Sequence, residues 1–113
     1  MDLKHKDLAE GKWDKLSLSL QMANIGSEVS RALNWMKKGN KEYSLNSVNR
    51  AIELIYLTLG AINIKSHLKE VARLKEVIAD YFYGSNSFLS SEKLFRSYFD
   101  HFAYAARRNF NRG

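Results

Sequence analysis

Apolar residues recur at intervals of three and four residues in four segments of the chain. This spacing places them on one face of an α-helix. Serine precedes each segment and glycine follows the first three, and these residue types favour the beginning and the end of a helix. The first predicted helix follows Ser17 or Ser19 and ends at Gly39. The second runs from Ser44 to Gly60, the third from Ser66 to Gly84, and the fourth begins after Ser90.

The apolar faces also predict the core and the architecture. Short connections favour antiparallel neighbours, so we expect an all-α fold, an antiparallel four-helix bundle over residues 17–113. Residues 1–16 are expected to form an N-terminal arm, with a short helix ended by Gly11 and with Trp13 holding the arm on the bundle. The predicted core stripes are Leu18, Met22, Ile25, Val29, Ala32, Leu33 and Met36; Leu45, Val48, Ile52, Ile55, Tyr56 and Leu59; Leu68, Val71, Leu74, Ile78, Tyr81 and Phe82; and Phe95, Tyr98, Phe99, Phe102, Ala105 and Ala106.

The second predicted helix is apolar on more than one side. Leu54 and Leu57 point away from the stripe that contains Ile52 and Leu59. An extra apolar face of this kind can form an interface between two copies of the chain, so the pattern predicts a homodimer through Leu54 and Leu57. The alternative is that residues 61–65 and the N-terminal arm cover this face within the chain.

Composition limits the expected cellular compartment and the expected classes of binding partner. The chain has 113 residues, no cysteine, no proline and a formal net charge of +6. This length fits one domain, and the lack of cysteine excludes disulfides and thiolate metal sites. The basic excess favours nucleic acid or an acidic partner. The charged N-terminal sequence lacks the apolar region of a signal peptide, and the apolar run at residues 54–62 is too short to span a bilayer, so we expect a cytoplasmic protein without membrane contact.

A candidate catalytic pair lies in "RSYFDHFAYAARRN", where Arg96 precedes His101 by five positions. An arginine can hold a phosphate group, and an imidazole can move a proton near neutral pH. Five helical residues turn the chain by roughly 140°, so the two side chains diverge within one subunit and would need a second copy to complete a site. The structural alternative pairs Arg96 with Asp100 and makes His101 a boundary residue beside Leu94 and Tyr104.

A second candidate site follows the first helix, where polar residues are spaced three and four apart. Arginine and tryptophan are enriched at the centres of protein interfaces, so this line can be a recognition surface. The alternative is an ordinary polar flank that contains an ion pair between Glu28 and Arg31. The candidate binding residues are Gln21, Asn24, Glu28, Arg31 and Trp35.

Metal and cofactor sites have little support in the sequence. Glu76 and Asp80 lie one helical turn apart, but carboxylate metal sites in bundles normally add a histidine three residues after a glutamate. None of His5, His67 and His101 has that spacing. The glycines stand singly, so no phosphate-binding loop is present. We therefore expect neither a metal nor a cofactor.

Several segments carry a family resemblance. "KWDKLSLSLQMANIGSEVSRALNWMKKGNKEYS", "RAIELIYLT", "RLKEVIADYFYG" and "YFDHFAYAAR" resemble a family of small uncharacterised prokaryotic helical proteins. The resemblance covers residues 12–107 and implies a compact helical cytoplasmic protein with no assigned activity; His101 stands where the family usually has an aromatic residue. The Arg-x4-His spacing is similar, more weakly, to the HEPN helical bundles, many of which are dimeric metal-independent ribonucleases. That second resemblance implies that Arg96 holds phosphate and that His101 is the general acid or base.

Two functional hypotheses remain. The first is a homo-oligomeric, non-enzymatic module that binds a partner, with protein as the expected partner and RNA as a second candidate. The second is a HEPN-like ribonuclease or RNA-binding module that uses Arg96 and His101.

Overall fold

The computed structural model describes residues 11–112, and it describes side chains for residues 11–108. Within this range the chain forms four α-helices and no β-strand. The helices are α1 (Leu18–Lys37), α2 (Lys41–Ala61), α3 (Lys65–Tyr83) and α4 (Glu92–Arg112), and the turn Trp13–Lys15 precedes them. The predicted all-α fold, an antiparallel four-helix bundle, is confirmed. Around the bundle the order is α4, α1, α2, α3, because α1 packs against α2 and α4 while α3 packs against α2.

The first two helices begin at side-chain caps. The Ser17 hydroxyl accepts a hydrogen bond from the Leu20 backbone N–H at 3.2 Å. Of the two predicted starts of α1, Ser17 and Ser19, the first is therefore confirmed. The second helix begins at Asn40, whose side chain accepts from the Tyr43 N–H at 3.0 Å, so the predicted start at Ser44 is wrong. Ser44 lies inside α2, where its buried hydroxyl donates to the Ala32 carbonyl oxygen of α1 at 2.8 Å.

The later helices differ from the prediction by one or two residues at their beginnings. The third starts at Lys65 and has no side-chain cap, although it ends before Gly84 as predicted. At α4 the capping serine is Ser91, which accepts from the Leu94 N–H at 3.2 Å. Glycine is required at the end of α1, because the φ angle of Gly39 is positive, in the left-handed region that residues with a Cβ rarely adopt.

The core forms largely from the predicted stripes, with two exceptions. Met36 is 44% exposed at the end of α1, and Tyr56 lies on the surface of α2, where the Lys75 ammonium sits 5.0 Å from its ring centre. Both were predicted to be core residues, and both predictions are wrong. Met36 borders an open cavity, and the side chain that lies over Tyr56 is a cation instead of an apolar group. The buried core consists of Trp13, Met22, Ile25, Val29, Ala32, Leu33, Val48, Ala51, Leu54, Ile55, Val71, Leu74, Ile78, Phe95 and Phe99.

The segment before α1 is held by Trp13. Its ring is buried in the core, and its indole N–H donates to the Thr58 hydroxyl of α2 at 2.9 Å. The prediction that Trp13 fixes this segment to the bundle is therefore confirmed. The short helix proposed before Gly11 falls on residues 1–10, which lie outside the described residues. Among the described helices, none combines the length and the apolar character needed to cross a membrane.

Candidate functional site

Arg96 lies in the second turn of α4 and donates hydrogen bonds to three side chains. Its Nε donates to the Glu92 carboxylate at 2.9 Å. The two terminal nitrogens donate to the Ser30 hydroxyl at 2.8 Å and to the Asn34 side-chain oxygen at 2.9 Å, both on α1. Arg96 therefore fastens α4 to α1, and all three of its guanidinium nitrogens are engaged within the chain.

Glu92 completes this contact between the helices. Its carboxylate also receives the Lys37 ammonium at 2.6 Å, so one oxygen bridges a cation on α1 and a cation on α4. Hydrogen bonds from Lys37 and then Arg96 lower the pKa of Glu92 below its usual value, because they stabilise the charged form. The expected pair between Arg96 and Asp100 is wrong, since Arg96 turns back by four residues to Glu92.

His101 is exposed on α4 and contacts the edge of the Phe102 ring, with ring centres 5.4 Å apart. The buried Phe99 lies between Arg96 and His101 in the helix sequence, which agrees with the divergence expected from their spacing. The structure therefore does not bring Arg96 and His101 together within one subunit. Leu94 and Tyr104, the expected neighbours of His101, are likewise exposed on α4.

Two residues of the polar line on α1, Gln21 and Glu28, are buried, and Glu28 accepts hydrogen bonds from two arginines. This carboxylate is only 6% exposed and accepts from Arg31 at 2.6 Å and from the Arg50 Nε at 3.0 Å. Arg50 also donates to the Ser47 hydroxyl at 3.0 Å, and its bond to Glu28 ties α2 to α1. The expected pair between Glu28 and Arg31 is confirmed. Arg50 was not found by sequence reasoning, because a residue on another helix leaves no signal in the periodicity of α1.

Gln21 binds the segment that precedes α1. Its buried side-chain amide donates to the carbonyl oxygens of Trp13 at 3.0 Å and Leu16 at 3.2 Å. Within the described part of the chain, its own side-chain oxygen is buried and has no hydrogen-bond donor. These contacts give Gln21 a structural role, because they join α1 to the carbonyl groups on both sides of the Trp13–Lys15 turn.

The other members of the line remain partly accessible. Asn24 and Arg31 border a cavity of about 370 Å³ beside Trp13 and Leu54. Trp35 packs edge-on against Tyr43, with ring centres 4.9 Å apart, and the Lys38 ammonium lies 5.0 Å from its ring centre. The five candidate binding residues are thus divided between an internal network and the surface.

The extra apolar face of α2 is explained in part by the chain itself. Leu54 is 2% exposed and belongs to the core, so its side chain has almost no surface left for a partner. It borders the cavity that Trp13 and Leu16 line, which agrees with the alternative that the N-terminal segment covers this face. Leu57 is half-buried and packs against the core. A homodimer contact through these leucines stays a prediction.

A groove between α3 and α4 has a mainly apolar lining. Its volume is about 480 Å³, and its apolar lining comes from Leu74, Val77, Leu94, Phe95 and Tyr98. The two helices have few close backbone contacts with each other and meet through long side chains. Among these, Tyr81 and Phe95 pack edge-on with ring centres 5.1 Å apart.

Tyr98 closes one side of this groove. Its hydroxyl donates to the Glu70 carboxylate of α3 at 2.9 Å. Burial raises the pKa of Tyr98 well above its usual value, and the hydrogen bond to Glu70 raises it further, since both disfavour the phenolate. The hydroxyl therefore stays a hydrogen-bond donor and gives the apolar groove a polar end.

The loop between α3 and α4 forms the rim of the groove. The Asp80 carboxylate accepts from the backbone N–H groups of Ser87 at 2.9 Å and Phe88 at 3.0 Å. Phe88 lies under the Arg73 guanidinium, 5.1 Å from the ring centre, and Leu89 is 81% exposed. The loop therefore presents apolar side chains to solvent from a hydrogen-bonded framework.

Asp80 is thus used as a loop cap, which gives this carboxylate a structural role. Among the described residues, no three acidic or histidine side chains converge to form a metal site.

The groove and its loop were missed by sequence reasoning, because they depend on the distance between two helices. The density of aromatic and apolar residues from Tyr83 to Leu94 was the signal available in the sequence.

No protein-family model, no curated protein and no solved structure matches this chain. The geometry above therefore carries the functional proposal.

Proposed function

We propose that this chain is a cytoplasmic, homo-oligomeric and non-enzymatic helical-bundle module that binds a protein partner through the groove between α3 and α4. The groove is the observation that carries the proposal. Its lining is mainly apolar and includes the exposed Leu94, and the loop that follows α3 adds the exposed side chains of Phe88 and Leu89. Contiguous exposed apolar surface with a polar rim is typical of protein interaction sites.

The state of Arg96 supports binding over catalysis. A phosphate-holding arginine must offer its guanidinium N–H groups to the substrate. Arg96 already donates to Glu92, Ser30 and Asn34. These bonds use three of the five guanidinium N–H groups and hold the side chain against α1, so a phosphate would compete with the contact that fastens α4 to α1.

The ribonuclease hypothesis has one observation in its favour. A shallow cleft of about 200 Å³ is bordered by Arg96 and Asp100, and His101 is exposed nearby on the same helix. A second copy would have to supply the missing partner for either residue. The HEPN-like alternative, as a ribonuclease or an RNA-binding module, is therefore a proposal that requires a dimer around α4.

Two measurements on the purified chain separate these functions. Sedimentation velocity over a concentration series should show a dimer, because the proposed module is homo-oligomeric. A wild-type chain that stays monomeric at its highest soluble concentration would refute the homo-oligomeric module.

RNA supplies the second measurement. Wild-type protein should leave single-stranded RNA intact in the presence of a metal chelator. If RNA is cut, and if His101→Ala abolishes cutting while the circular dichroism spectrum is unchanged, the ribonuclease is correct and the non-enzymatic proposal fails.

A further inference from the structure

The outer face of α3 carries charges in an unusual order. Lys65, Lys69 and Arg73 are followed by Glu76 and Asp80, with spacings of four, four, three and four residues. These spacings place all five side chains within an arc of about 80° on the helix. The arc lies opposite the buried face of α3, so we call these five residues the α3 ridge.

The order of charges runs against the dipole of the helix. Acidic residues are favoured near a helix N-terminus and basic residues near its C-terminus. The first turn of α3 has no acidic residue, and its last turn has no basic residue. Lys65 and Asp80 therefore stand at the ends where each is destabilising, and the helix alone gives no reason for this arrangement.

Contacts within the chain account for only part of the ridge. Asp80 caps the loop, and Arg73 lies over the Phe88 ring. Within the described residues, no ion pair involves Lys65, Lys69 or Glu76, and all three are exposed. Lys65, Lys69 and Glu76 thus present charges without ion-pair partners in the described part of the chain to solvent along a helix about 28 Å long, and Asp80 is partly exposed at its end.

We propose that a second copy of this chain docks antiparallel along the α3 ridge; the inference rests on the proposed homo-oligomeric function and names its partner and surface. A two-fold axis between Arg73 and Glu76 sets Arg73 opposite the partner's Glu76, and sets Lys69 opposite the partner's Asp80. Each contact occurs twice, because a two-fold interface uses the same surface on both copies. Parallel docking would instead set like charges against each other.

Apolar residues at the two ends of α3 fit the same arrangement. Ile64 is 56% exposed just before α3, and Leu89 projects from the loop that follows it. Antiparallel docking brings Ile64 to the partner's loop end, where apolar side chains can cover each other. The interface then has charged pairs near its centre and an apolar contact at each end.

The loop is built to hold Leu89 in place. Asn86 donates to the Ser90 carbonyl oxygen at 3.0 Å, and its side-chain oxygen accepts from the Ser90 N–H at 2.8 Å. The Leu89 N–H donates to the Asn86 carbonyl oxygen at 3.0 Å. Leu89 itself has a positive φ angle, in the left-handed region that a bulky residue seldom adopts. A strained and exposed leucine on a hydrogen-bonded loop is consistent with a role in contact.

Charge reversal tests the proposal. Arg73→Glu should weaken the wild-type dimer about tenfold, since it replaces two attractive pairs by two repulsive ones. The double variant Arg73→Glu with Glu76→Arg exchanges the charges and should restore dimerisation. This rescue is specific, because the double variant does not restore the cation over Phe88. Lys41→Glu, on the first turn of α2, makes the same change in net charge and should leave the dimer intact.

Sedimentation velocity at low ionic strength measures the dissociation constant of each variant, and circular dichroism confirms the fold. A dimer that is unchanged in Arg73→Glu would overturn the antiparallel docking and leave the homo-oligomeric function standing. A dimer lost in the single variant and not restored in the double would also overturn it. A wild-type chain that is always monomeric would overturn the homo-oligomeric function and this interface with it.

Discussion

The close approach between α1 and α4 can be tested by adding one methyl group at Gly26. A Cβ built at this position would lie 2.7 Å from both the Cβ and the Cγ of Phe99 and 2.8 Å from its Cδ1. The Phe99 Cβ is fixed to the backbone of α4, so a change of rotamer does not relieve the contact. Gly26→Ala must therefore move α4 away from α1 or displace the buried ring.

Two opposing effects set the size of the change. Alanine stabilises a helix interior by about 1 kcal/mol relative to glycine. Overpacking of a close-packed core costs roughly 1–3 kcal/mol. The clash involves two atoms of a buried ring and the Cβ that is fixed to the backbone, so we expect a cost near the upper end of that range. We expect Gly26→Ala to lower the free energy of unfolding by about 2 kcal/mol, the difference between the two effects.

Urea unfolding measures this loss, and Gly60→Ala is the matched control. Gly60 also lies in a helix, but an added Cβ has no neighbour within 4 Å there. This control variant should therefore gain up to about 1 kcal/mol. Combining Gly26→Ala with Phe99→Ala removes the contacts with Cγ and Cδ1 but keeps the contact with the Cβ of residue 99, so in that background the glycine substitution should cost less without becoming neutral. If Gly26→Ala is as stable as Gly60→Ala, α4 does not pack on α1 as described.

Three further substitutions probe the internal network. Thr58→Val should cost about 1–3 kcal/mol in urea unfolding, because it leaves the buried Trp13 indole N–H without an acceptor; an equal cost for Thr58→Val in a Trp13→Phe background, which has no indole N–H, would contradict this. Glu28→Gln should cost about 1–3 kcal/mol, since a buried carboxylate that holds Arg50 is lost, whereas an equal loss for Glu42→Gln on the surface would show that the network is not responsible. The pKa of Glu92 is lowered in the folded chain, so its contribution to stability is present above its usual pKa of 4.5 and is lost as the pH falls through the folded-state value. Glu92→Gln should therefore reduce the loss of stability on acidification to about pH 3, and an unchanged acid profile would refute the bridge to Lys37.

The sequence predicts the helices well and their beginnings less well. Periodicity depends only on residues within one helix, and it finds the buried side of all four helices, although Met36 and Tyr56 lie outside the core. A cap depends on which polar residue the backbone reaches. Ser44 has the residue type of a cap, but its hydroxyl donates to Ala32 of another helix, and Asn40 caps α2 instead. Sequence alone does not distinguish these two uses of a polar side chain.

The candidate site shows the same limit more strongly. Arg96 was chosen because of its spacing from His101, yet Ser30 and Asn34, two of its partners, lie 66 and 62 residues away in sequence. Periodicity predicted that Arg96 and His101 diverge, and in the structure they have different contacts, the Glu92 carboxylate for Arg96 and the Phe102 ring for His101. It carried no information about the groove, because the space between α3 and α4 is set by how each helix packs on its other neighbours.

Polar stripes that look alike in the sequence thus have different physical states in the fold. Glu28 and Arg96 are satisfied by side chains on neighbouring helices, and satisfied groups of this kind hold the bundle together. Lys69 and Glu76 are spaced just as regularly, but they face solvent, and the charge order to which they belong opposes the dipole of their own helix. An arrangement that weakens its own helix calls for a stabilising contact elsewhere, and an antiparallel second copy supplies opposite charges at every position of the α3 ridge from Lys69 to Asp80. The reversed and exchanged charges at Arg73 and Glu76 therefore test whether a second copy supplies the partners that the described part of the fold does not.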